Sequence, residues 1–184
     1  KFLETLQAVV TSRQTNISAV SAVTAVSREK QDETTQKLVN IVRKSQPAVV
    51  GQKIVALACS TGGPKALQSV VPRLPAELAA PVLIVQHMPK GFTQSLAERL
   101  DSMSRIRVKE AAEGDVLENG VVYISMGGKP MNVATKCGRA TITYTDEPPR
   151  EGVKPCANYM YESLKTSSFA QIVCVVLTGM GADG

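Results

Sequence analysis

The sequence is poor in the residues that carry metal and aromatic chemistry. It has one histidine, His87, no tryptophan, and aromatics at 4% of 184 residues. One imidazole cannot build a multi-histidine metal cluster, and any imidazole chemistry must run through His87. The four cysteines, Cys59, Cys137, Cys156 and Cys174, form no CxxC pair. They make neither a disulfide framework nor a zinc site, and they fit reduced thiols in the cytosol. No apolar run reaches the roughly 18 residues that span a bilayer, and Lys1 opens no signal-peptide pattern. A soluble, cytoplasmic protein with no direct membrane insertion is therefore expected. GxGxxG spacing and a Walker lysine are missing too. The net charge of +5 is modest and dispersed. Arg99, Arg105, Arg107 and Lys109 alternate with acids and apolar positions and carry no interleaved aromatics, which excludes the dense stripe of a nucleic-acid groove.

What is present divides into two parts. Residues 1–50 contain no glycine before Gly51, and their first proline is Pro47. The stretch from Thr11 to Ser27 is rich in Ser, Thr, Ala and Val. Glu29 to Lys44 then predicts a helix with Leu38, Val39, Ile41 and Val42 on one face. With so few large apolar residues the segment reads as a partly helical interdomain linker. Residues 51–184 read as the catalytic domain.

In that domain, three short apolar runs predict buried strands: Ile54 to Ala58, Pro81 to Gln86 and Gln171 to Leu177. Helices are predicted over Pro64 to Val71, Phe92 to Ser102 and Tyr159 to Lys165. Phe92, Leu96 and Leu100 mark the second at i, i+4 and i+8. Arg107 to Val116, Val121 to Ser125 and Arg139 to Thr145 predict shorter strands, with turns at Gly127-Gly128 and Cys137-Gly138. Continuous apolar strands alternating with helices imply an α/β fold. The expected architecture is a doubly wound, mostly parallel sheet with helices on both faces and an antiparallel strand pair at one edge.

The three apolar strands end in Ser60-Thr61-Gly62-Gly63, Gln86-His87-Met88 and Thr178-Gly179-Met180-Gly181-Ala182-Asp183-Gly184. In a parallel sheet these ends share one edge, where such folds place ligands. A hydroxyl, an imidazole and a carboxylate remote in sequence can therefore meet, which is the inventory of a Ser-His-Asp relay. Each piece also has a plainer use. Ser60 can cap a helix or bind a phosphate at a helix N-terminus, giving a non-catalytic phosphate- or nucleotide-binding module. The window Ala58-Cys59-Ser60-Thr61-Gly62 lacks the first glycine of a nucleophile elbow. Asp183 has rivals in Asp115 and Asp146. Cys59 rivals Ser60 as nucleophile, although strand neighbours point to opposite faces and only one can reach the site. From the residues alone these alternatives stay open.

The stretches ALACSTGGPKAL (56–67), VLIVQHMPKGFTQSLAERL (82–100), VVYISMGGKPMNV (121–133) and VCVVLTGMGADG (173–184) resemble the catalytic domain of the CheB family of chemotaxis protein-glutamate methylesterases. The resemblance covers essentially everything from Lys53 onward. It implies a serine hydrolase that demethylates glutamate γ-methyl esters on methyl-accepting chemotaxis receptors, releasing methanol, and deamidates receptor glutamines. By motif position Ser60 matches the nucleophile, His87 the base and Asp183 the orienting acid. Met180 matches an oxyanion contributor through its backbone N–H, and Thr61 and Gly62 line the site. No metal or organic cofactor is implied. In the full-length protein the resemblance implies a receiver domain and a histidine kinase as partners.

Two departures from the family's pattern stand out. Pro130 occupies a position where the family commonly has histidine, and Pro155-Cys156-Ala157-Asn158 replaces a frequent Pro-Ser-Val-Asp. Asp183 is also the penultimate residue. Because family members continue past this motif, the domain is expected to be truncated before a final strand–helix portion, with its acid on a frayed end.

Overall fold

The computed structural model describes Thr5 and residues 53–184. The expected linker over residues 1–50, including the helix of Glu29 to Lys44, lies outside the described residues apart from Thr5. Among the described residues, seven strands and three α-helices follow one another: β1 (Lys53–Cys59), α1 (Gly63–Val70), β2 (Val82–Gln86), α2 (Phe92–Met103), β3 (Arg107–Glu110), β4 (Val121–Ile124), β5 (Met131–Lys136), β6 (Arg139–Tyr144), α3 (Ala157–Lys165) and β7 (Gln171–Val176). Five strands form a parallel sheet in the order β3-β4-β2-β1-β7.

The apolar runs of β1 and β2 are continuous because both strands are covered on both sides. The third buried strand, expected over Gln171 to Leu177, is corrected: β7 lies at the sheet edge and alternates half-buried with exposed residues, with Ile172 and Val176 open to solvent. Val55, Leu57 and Cys59 of β1 face one core with Leu67 of α1 and Leu96 and Leu100 of α2. Ile54, Ala56 and Ala58 face the other, with Met160 and Leu164 of α3. The antiparallel pair β5–β6 is a separate two-stranded sheet. Its Met131, Val133, Ala140 and Ile142 join the same core as α3. The Cys137-Gly138 turn that links it has both residues at positive φ, 50° and 75°, as a tight two-residue hairpin requires. Leu67 and Leu100 are fully buried, so truncating either to alanine costs about 2–5 kcal/mol.

Two further expectations are corrected. The strand predicted over Arg107 to Val116 ends at Glu110. Asp115 accepts the Ala112 N–H at 2.8 Å and closes a turn, after which Val116 bridges to Thr141 of the hairpin. Phe92 does not belong to the core stripe of α2, since it is 61% exposed. The buried face is Thr93, Leu96, Ala97 and Leu100. Thr93 turns inward because its hydroxyl donates to Glu110 at 2.5 Å and accepts the Gly127 N–H at 3.0 Å.

The register of the sheet fixes what meets at its C-terminal edge. Cys59 pairs with Gln86 across β1 and β2, and Ala58 pairs with Val176 across β1 and β7. The residues that step off these strands therefore emerge side by side.

Candidate active site

Ser60 follows β1, and its N–H donates to Thr178 O at 2.8 Å, one step beyond the β1–β7 ladder. His87 follows β2, and its N–H donates to Cys59 O at 3.0 Å. The segment after β7 curls back over both. Gly179 lies so close to Ser60 that a Cβ there would stand 2.7 Å from the serine Cβ. Ser60, His87, Thr178, Gly179, Met180 and Asp183 all line one narrow cleft of about 90 Å³.

Asp183 accepts a hydrogen bond on Oδ2 from His87 Nε2 at 2.7 Å. The side chains of the pair are 14% and 2% exposed, so solvent screens the contact weakly. Three further donors hold the carboxylate: Ala157 N at 2.6 Å, Asn158 N at 2.9 Å and Cys156 Sγ at 3.0 Å. The two amides belong to the first turn of α3, whose N-terminal end favours an anion. Burial opposes the charge on Asp183, but the hydrogen bonds from His87, Cys156, Ala157 and Asn158 outweigh it. Together they hold the carboxyl well below the usual carboxylate range. The acid expected on a frayed end is thus anchored to α3, and Gly184 N donates to Asn158 Oδ1 at 3.3 Å beyond it.

The rivals sort by position. Asp115 pairs with Lys109 Nζ at 2.7 Å, and Asp146 is exposed. Neither lines the cleft. Cys59 borders the cleft but is only 2% exposed and packs in the core, and burial pushes its thiol up to about 12, so it is neutral. Ser60 does not cap α1. The N-cap is Gly62, left-handed at φ 79°, with no side-chain cap. Thr61 and Gly62 are exposed, with Thr61 O accepting from the Thr178 hydroxyl at 3.2 Å. Met180 is 80% exposed at the rim.

How Asp183 is held has no signal in the sequence around it. Cys156 and Asn158, noted only as departures, touch its carboxylate directly, whereas Pro130 is buried and absent from the cleft lining. Gln86 gives one visible signal, an amide ending a strand of Val, Leu and Ile.

Residues 55–184 match the family described as CheB methylesterase. Over 133 residues the chain is 49% identical to a Geobacillus kaustophilus protein named protein-glutamate methylesterase/protein-glutamine glutaminase, covering 72% of this chain and 38% of that protein. A Pyrococcus horikoshii protein of the same name is 46% identical over 142 residues, covering 77% of this chain and 39% of its own length. The crystal structure of the Thermotoga maritima CheB methylesterase catalytic domain superposes with a TM-score of 0.70 at 38% identity, covering 74% of this chain and 71% of that one. The chain spans about two-fifths of the length of these curated relatives.

Proposed function

The chain belongs to the CheB methylesterase family, and from that premise we propose that it hydrolyses glutamate γ-methyl esters on methyl-accepting chemotaxis receptors with Ser60 as nucleophile. The observation that carries this reading is the convergence of Ser60, His87 and Asp183 on one cleft, with the imidazole tied to the carboxylate. Asp183 engages Nε2, so Nδ1 is the nitrogen left to act as base. It is buried and without a hydrogen-bond partner among the described residues.

In the proposed reaction His87 Nδ1 takes the Ser60 proton as Oγ bonds to the ester carbonyl carbon. The imidazolium so formed is stabilised by Asp183, which keeps its charge. The developing oxyanion is assigned to backbone N–H groups of the glycine-rich 178–181 turn, Met180 N–H first among them, since these residues line the cleft beside Ser60. Collapse of the tetrahedral adduct breaks the bond to the methoxy oxygen, which leaves as methanol with the proton from His87. Water, deprotonated by His87, then cleaves the acyl-serine to free glutamate and restored Ser60. A glutamine side chain follows the same path with ammonia leaving. The neutral, core-facing Cys59 supports Ser60 over the thiol as attacking group. The receptors and a receiver domain that regulates the site belong to the same proposal.

A peptide carrying a glutamate γ-methyl ester tests the chemistry. Methanol release at a rate that depends on Ser60 is expected, with ammonia from the glutamine counterpart. Binding of phosphate or nucleotides that survives Ser60→Ala, with no methanol from the ester, would instead favour a non-catalytic binding module.

A further inference from the structure

Gln86 ends β2 and is 1% exposed. A neutral amide at that depth must find partners or cost stability. Its Nε2 finds them in the two residues on which the proposed chemistry rests, whereas Oε1 has no hydrogen-bond partner among the described residues. Gln86 Nε2 donates to Ser60 O at 3.0 Å and to His87 O at 3.2 Å. The other end of the amide lies against α1. A Cβ on Gly63 would stand 1.8 Å from Gln86 Oε1 and 2.8 Å from its Cδ. The first residue of α1 therefore has to be glycine for the amide to lie where it does. Ser60 O also accepts the Gly63 N–H at 2.8 Å, so the same carbonyl is held from two sides.

The strand ladder cannot do this work alone. It pairs Cys59 with Gln86, and one further bond, from His87 N–H to Cys59 O, closes it before the chain turns into α1 on one side and into Met88-Pro89 on the other. Beyond the ladder, one rigid planar group ties the backbone of the hydroxyl-bearing residue to the backbone of the imidazole-bearing one. We propose that Gln86 is a positioning residue that fixes the Ser60–His87 spacing, with Gly63 as the receptor that admits its amide. This rests on the esterase reading, in which a misplacement near 1 Å between reacting groups costs about 100-fold.

Gln86→Met keeps length and burial but removes both donors. Gly63→Ala attacks the same arrangement from the other side, and the double variant tests whether the two act as one unit. Turnover of the peptide ester is counted per Ser60 site titrated with a fluorophosphonate, so loss of folded protein does not masquerade as loss of rate. Each single variant is expected to lose about 100-fold in kcat with KM within about two-fold, and the double variant to be no worse than the weaker single. A second readout needs no substrate. With one histidine in the chain, the ring ¹⁵N resonances of His87 are unique. They are expected to move in Gln86→Met and Gly63→Ala and to stay in place in Leu100→Ala, a core change in α2. Unmoved His87 resonances, or a kcat per titrated site that is unchanged in both single variants, would overturn the proposal. If the wild-type chain releases no methanol, the esterase reading fails by itself, and the His87 resonances still decide whether Gln86 positions the imidazole.

Discussion

His87 addresses Asp183 through Nε2, 2.7 Å from the carboxylate, and not through Nδ1. The neutral ring must then carry its proton on Nε2, leaving Nδ1 with the free lone pair. ¹⁵N spectra of the neutral ring are therefore expected to show a protonated Nε2. The Nδ1–H tautomer as the dominant form would contradict this. Asp183→Asn should lose this preference and, by the effect of such a change in a well-studied protease, lose about 10⁴-fold in turnover.

The donors around Asp183 also make it a stability group. Its carboxyl titrates below its ordinary value in the folded protein. Stabilisation by Asp183 is therefore full above the unfolded value near 3.9 and is lost as pH falls through the lower folded value. Urea denaturation of wild type and Asp183→Asn, compared at about pH 5 and about pH 3, should show the gap between them narrowing in acid. A gap that stays constant or widens would show that the carboxylate is not held as described.

Cys59 adjoins Ser60 but faces the core with its thiol pushed up to about 12, whereas Cys137 is exposed on the hairpin turn. Alkylation of the native protein near neutral pH should label Cys137 and leave Cys59 untouched, as mass spectrometry of the digested protein would show. Cys59→Ala should keep most of the activity. Loss of activity on Cys59→Ala in a folded protein would transfer the nucleophile's role to the thiol.

Gly179 is where the segment after β7 passes over the serine, with room for no side chain. Gly179→Ala should leave the core intact and depress kcat at least about 100-fold, since the methyl displaces either Ser60 or the turn that faces the reacting carbonyl. Circular dichroism and turnover measured together check this, and a fully active Gly179→Ala variant would contradict the close approach.

The sheet was legible because burial on both faces writes itself as unbroken apolar runs, as in Ile54 to Ala58 and Pro81 to Gln86. The meeting of Ser60, His87 and Asp183 on one cleft was legible for a related reason, since parallel strands must bring their C-terminal ends to one edge. What stayed hidden depends on contacts between segments far apart in the chain. β5 is short and alternates buried with half-buried residues, and only its turn at Cys137-Gly138 announces a hairpin. The inward turn of Thr93 is set by Glu110 and Gly127, which no helical period in α2 can encode. Likewise nothing local to Asp183 shows that Cys156, Ala157 and Asn158 will donate to it. The choice of Nε2 over Nδ1 has no sequence signal at all.

Cleavage of receptor methyl esters by Ser60, activated by His87, is the proposal on which the rest depends. It is tested most directly by methanol release from chemoreceptor membranes carrying labelled methyl groups, with the wild-type chain compared to Ser60→Ala. The expected result is release by the wild type and a fall of several orders of magnitude in Ser60→Ala, approaching the about 10⁶-fold seen when a nucleophile is removed from a well-studied protease. Release that persists in Ser60→Ala, or none from a folded wild-type chain, would contradict it.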